Sequence, residues 1–77
     1  MTIQLYVDFN AIDADGCLST LAEFATDPLV VAPGAMLIVG DEDGNMAKAR
    51  VLEVQPDGLI RLEVQDGTFT PSAHRTA

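Results

Sequence analysis

Tryptophan is missing from this chain, and aromatic residues of any kind make up only 5% of it. Its core must therefore be built from aliphatic side chains and alanine. Basic residues are nearly as scarce. Four Lys and Arg stand against twelve Asp and Glu, for a net charge of −8 and a pI near 4.1. Such a balance argues against a stand-alone binder of nucleic acid or of an anionic membrane. A single Cys excludes an intramolecular disulfide, and one Cys with one His cannot build a structural zinc site. Long hydrophobic runs are lacking too. The longest, residues 29–39, is broken by Pro33-Gly34 and falls far short of the roughly 20 residues of a membrane span. Met1-Thr2-Ile3-Gln4 has no basic residue and does not read as a signal peptide. With one unpaired thiol, the expected location is the reducing cytoplasm.

What is present is an apolar content of 48% in 77 residues, enough for one small domain. The charge is unevenly spread. Residues 1–47 hold no Lys or Arg but eight acids: Asp8, Asp13, Asp15, Glu23, Asp27, Asp41, Glu42 and Asp43. In the remainder, acids and bases balance. A solubilising surface accounts for this; so does a negative face that meets a basic partner.

Four Asp-Gly pairs punctuate the chain: Asp15-Gly16, Asp43-Gly44, Asp57-Gly58 and Asp66-Gly67. Between apolar runs, such pairs mark the tight turns of β-hairpins. The first expected strand covers residues 2–10, where Ile3, Leu5, Val7 and Phe9 alternate with Gln4, Tyr6, Asp8 and Asn10. Residues 17–26 admit two readings. Leu18, Leu21, Ala22 and Ala25 have helical spacing, whereas a strand over 17–21 would close a hairpin with the first strand. The expectation is the strand, followed by at most one helical turn near residues 20–26. Further strands are expected over 35–39, 46–54 and 59–65. A bulge is expected near Leu52-Glu53, where Val54 falls out of phase with Val51. Lys48, Arg50, Glu53, Arg61 and Glu63 are placed to form weak cross-strand ion pairs. Residues 1–67 thus make the domain. Residues 68–77 read as a flexible tail, with Phe69 able to tie its start to the body.

The fold class expected is all-β: a small five-stranded barrel or a strongly curled antiparallel meander. Residues 33–64 carry Pro33-Gly34 before a strand, an acidic Gly turn, a longer strand and the tight turn Pro56-Asp57-Gly58. In this pattern they are similar to half of an SH3-like small barrel. That likeness is at the level of a superfold and implies no activity. The aromatic cage of methyl-lysine readers is absent from the stretch.

No catalytic constellation emerges, and the chain is expected not to be an enzyme. His74 lies in the expected tail, and Cys17 has only acids near it in sequence, surroundings that do not mark a reactive thiol. The loops Asp13-Ala14-Asp15-Gly16 and Asp41-Glu42-Asp43-Gly44-Asn45 lack the Gly and closing Glu positions of a calcium loop, so no metal or other cofactor is expected. The basic residues of 48–61 are diluted by Glu53 and Glu63, which argues against direct nucleic-acid binding. Residues 29–32 and 35–39 contain no polar side chain, so both faces of that strand want burial. Leu29, Val31, Leu37 and Val39 are accordingly expected to form a self-association face, since domains this small gain little stability from a core alone. Asp8, Asp13, Asp15, Asp41, Glu42 and Asp43 are the expected acidic interaction face. The function expected is a non-catalytic protein-interaction or homo-oligomerising module, whose partner is itself or a basic protein. The alternative is an acidic regulator that mimics nucleic acid, of the antitoxin or phage anti-host type, and binds a basic protein.

Overall fold

A computed structural model describes residues 2–71. Five strands form one sheet that curls into a half-barrel: β1 (Leu5–Tyr6), β2 (Cys17–Leu21), β3 (Met36–Gly40), β4 (Met46–Val54) and β5 (Leu59–Val64). Single 3-10 turns at Phe9–Ala11, Ala22–Phe24 and Pro28–Val30 are the helical content of the described residues.

The sheet order is β1-β3-β4-β5-β2. The last three strands in sequence form the expected antiparallel meander, and the ladder between β4 and β5 slips between Val51 and Glu53. That slip is the bulge that the phase of Val54 requires. The first half of the chain pairs differently from expectation. β2 does not close a hairpin with the N-terminal strand but lies antiparallel to β5. The N-terminal strand is two residues long, not nine, and runs parallel to β3, pairing Leu5 with Val39 and Tyr6 with Gly40. Its alternation of faces is real, since Leu5 and Val7 are buried and Tyr6 and Asp8 are exposed. Its ladder ends early because the Asp8 carboxylate accepts the Asn10 N–H at 2.9 Å and draws the backbone into a 3-10 turn.

The core is aliphatic throughout. Leu5, Leu18, Leu37, Val39, Ala47, Ala49, Val51, Ile60 and Leu62 are buried in one cluster, with Val30 and Val31 packed against its side. The turns share one construction. In 13–17, 41–45 and 55–59 the first residue donates its N–H to the carbonyl of the fifth, and the fourth, always Gly, donates to the carbonyl of the first. This is a type I turn closed by a left-handed residue, and Gly16, Gly44 and Gly58 have φ of 79°, 90° and 93°.

The segment after Gly67 is not loose at its start. The Met46 and Thr70 backbones exchange two hydrogen bonds, at 2.8 and 2.6 Å. Phe69 meets Phe9 edge-on with centroids 5.2 Å apart. The expected tail therefore begins at least three residues later than residue 68. Residues 72–77, including His74, lie outside the described residues.

Candidate functional site

β1 and β2 are the two edges of the curled sheet, and they approach each other without forming a ladder. Thr20, buried on the inner face of β2, donates its hydroxyl to the Tyr6 carbonyl at 2.9 Å. Beyond Leu21, the Ala22–Phe24 turn swings the chain across so that Ala25 bridges to Leu5. Where the edges remain apart, an open groove of about 570 Å³ is left. Tyr6, Leu21, Phe24 and Leu59 supply its apolar lining, and Asp8, Asp41, Glu42 and Asp43 supply carboxylates. A second depression continues it past Ile3 and Gly44, sharing Tyr6, Phe24, Asp41 and Glu42. Among the described residues, no Lys, Arg or His lines either one. Tyr6 and Phe24 are 40% and 48% exposed.

The loop that carries three of these acids is rigid by construction. Asp41 Oδ1 accepts the N–H groups of Asp43 and Asn45, both at 3.0 Å, and its Oδ2 accepts the Asn45 amide at 2.9 Å. Thus Asp41 holds the loop, while the loop presents Glu42 and Asp43 to the groove. Loop 13–17 is its geometric twin: Asp13 Oδ1 accepts from Asp15 and Cys17 N–H at 2.9 and 3.0 Å. These bonds, the one from Cys17 foremost, hold the Asp13 carboxyl below the usual aspartate range, with a further contribution from Arg61, whose guanidinium lies 3.8 Å away.

The expected acidic face therefore divides. Asp8, Asp41, Glu42 and Asp43 share the groove, whereas Asp13 and Asp15 are not part of its lining. The expected self-association set does not form one face. Leu37 and Val39 are 2% and 0% exposed within this chain's own core, because their side of β3 is the inward one. Val31 is half-buried and Leu29 is exposed. Met36 and Ile38 occupy the outward side of β3 instead, Met36 exposed and Ile38 half-buried. The expected ion pairs on the β4–β5 hairpin also differ. Arg50 stands opposite Glu63 and Glu53 opposite Arg61, yet the ion pair among the described residues joins Arg61 to Asp13.

Phe24 is the groove residue that sequence reasoning missed. Its signal was a large aromatic in a segment that admitted both a strand and a helical reading, in a chain otherwise poor in aromatics. Among the described residues, no three acidic, His or Cys side chains gather so as to hold a metal ion, and no helix is long and apolar enough to cross a membrane. No family model matches the chain, and neither a curated protein nor a solved structure matches it.

Proposed function

We propose that this protein is a non-catalytic interaction module that takes a basic, partly apolar segment of another protein into the groove between β1 and β2. The observation that carries this reading is one lining with two exposed aromatics, four acids and, among the described residues, no base. Aromatic side chains offer contact area at low entropic cost, and the surrounding acids select the sign of the partner and steer its approach. A binding role is preferred over catalysis because, among the described residues, the groove holds no His, Lys or Cys to activate a nucleophile. It is preferred over a nucleic-acid mimic because a mimic needs its acids arrayed on one face, and Asp13 is turned to Arg61. The buried free thiol of Cys17 fits a cytoplasmic setting.

The test is a titration, followed by NMR, with two capped heptapeptides, one alternating Lys with Val and one alternating Glu with Val. The Lys peptide should bind and shift Tyr6 and Phe24, with affinity that falls as salt is raised. Glu42→Lys should weaken it by about 1 kcal/mol, close to fivefold. Equal binding of the two peptides would refute the proposal.

A further inference from the structure

The recognition mode follows from where the backbone of β2 points. In an antiparallel pair, successive residues turn their N–H and C=O alternately toward and away from the neighbouring strand. Gly16 accepts from Val64 N–H at 2.9 Å, and Ala22 donates to the Gly58 carbonyl at 2.8 Å, so the even-numbered residues of β2 face β5. Cys17, Ser19 and Leu21 therefore turn their peptide groups to the outer edge.

An open edge of this kind pairs readily with another chain, and folded proteins block such edges. This chain blocks most of its own. The outward groups of Cys17 are both taken by Asp13, whose Oδ1 accepts the Cys17 N–H and whose N–H donates to the Cys17 carbonyl at 2.8 Å. β1 is covered on its outer side, where Ala25 bridges to Leu5 and Thr26 N–H donates to the Gln4 carbonyl at 3.0 Å. Ser19 and Leu21 are left. Their outward N–H and C=O groups have no partner among the described residues, and both residues line the groove. The Tyr6 carbonyl does not occupy that edge. It is reached by the side chain of Thr20, which points to the inner face, out of the plane in which Ser19 and Leu21 offer their hydrogen bonds.

We infer that the partner segment binds as an added β-strand, pairing with Ser19 and Leu21 along the edge of β2. This rests on the reading of the groove as a site for a basic segment, and it specifies the segment further. The segment is extended, with alternating side chains. Apolar ones meet Tyr6, Leu21 and Phe24, and Lys or Arg meets Asp8 and Glu42. Main-chain bonds supply affinity, and the alternate side chains supply specificity. A second copy of this chain is the poorer occupant, since its own groove would bring acids against acids.

Amide hydrogen exchange of the whole protein, with and without the capped Lys/Val heptapeptide, tests the mode. At saturating peptide, exchange at Ser19 and Leu21 should slow by about tenfold or more. Methylating the peptide nitrogens at alternate residues should abolish binding in one phase and spare it in the other. If the peptide shifts Tyr6, Phe24 and Glu42 but leaves Ser19 and Leu21 exchanging freely, strand addition is wrong and the groove reading stands. If millimolar peptide shifts nothing, both are wrong. Protection of Ser19 and Leu21 that grows with protein concentration, without peptide, would mean that a second copy fills the edge and overturns the inference.

Discussion

Replacing Thr20 with Val tests whether one side-chain hydrogen bond closes the half-barrel. Thr20 is 9% exposed, and its hydroxyl reaches the Tyr6 carbonyl at 2.9 Å, joining the two edges of the sheet. Valine has nearly the same shape. The exchange adds a buried methyl, worth about 0.8 kcal/mol. It removes a hydrogen bond of about 1 kcal/mol net and leaves a part-buried carbonyl short of a partner, at about 1–3 kcal/mol. The sum is a loss of about 1–3 kcal/mol, or roughly 5–25 °C in Tm for a domain of this size. Thr20→Ser supplies the contrast. It keeps the hydroxyl and loses one methyl, at a cost of about 0.8 kcal/mol. Thermal and urea melts followed by circular dichroism read both. If apolar burial alone mattered, Thr20→Val would be more stable than wild type and Thr20→Ser less so. If the hydrogen bond closes the barrel, both lose stability. A Thr20→Val protein as stable as wild type refutes the argument.

Gly58→Val places a β-branched residue at φ of 93° in the β4–β5 turn, and urea melts should show a loss of about 1 kcal/mol or more. Leu37→Glu buries a charge in the core, so circular dichroism should show an unfolded chain at every protein concentration; a folded monomer would mean that the inward side of β3 is misassigned. Asp13 has its pKa lowered by folding, so the stability it contributes is present above the ordinary aspartate value near 3.9 and is lost as pH falls through that value toward the depressed one. In Asp13→Asn this part of the acid loss should be missing from a series of melts between about pH 6 and pH 2.

What could be read from the sequence was what local chemistry dictates. β4 spans Met46–Val54 as its alternation requires, and β2 followed by one 3-10 turn resolves the two readings of residues 17–26. The Asp-Gly pairs became left-handed turn positions because only glycine takes such φ without strain. What could not be read was which strand lies beside which. A parallel pair of two residues, β1 with β3, has no turn to announce it and too few residues to show a period. Once β2 was free of β1, it could add to β5, and the gap between the two edges became the groove. The groove was hidden for that reason: its lining comes from residues 6–10, 19–24, 41–43 and 59, which no local pattern brings together. The inward side of β3 was equally undecided, since Met36, Leu37, Ile38 and Val39 are all apolar and only the tertiary arrangement chooses between them.

The acidity of the chain makes the same point at the level of single residues. Asp8, Asp13, Asp27, Asp41 and Asp57 each accept a hydrogen bond from the backbone N–H two residues on. Much of the negative charge is thus explained by turn chemistry before any partner is invoked. Loops 13–17 and 41–45 show where that explanation stops. They share the Asp-x-Asp-Gly sequence, the same backbone bonds and the same doubly bonded first Asp. Topology alone separates them. Loop 13–17 leads into β2 beside β5, where Arg61 meets its carboxylate. Loop 41–45 joins β3 to β4 next to β1, and Tyr6, paired with Gly40, brings it against the open edge of β2. In both loops the first Asp shapes the turn. Only in the second do the acids that follow it line the apolar groove.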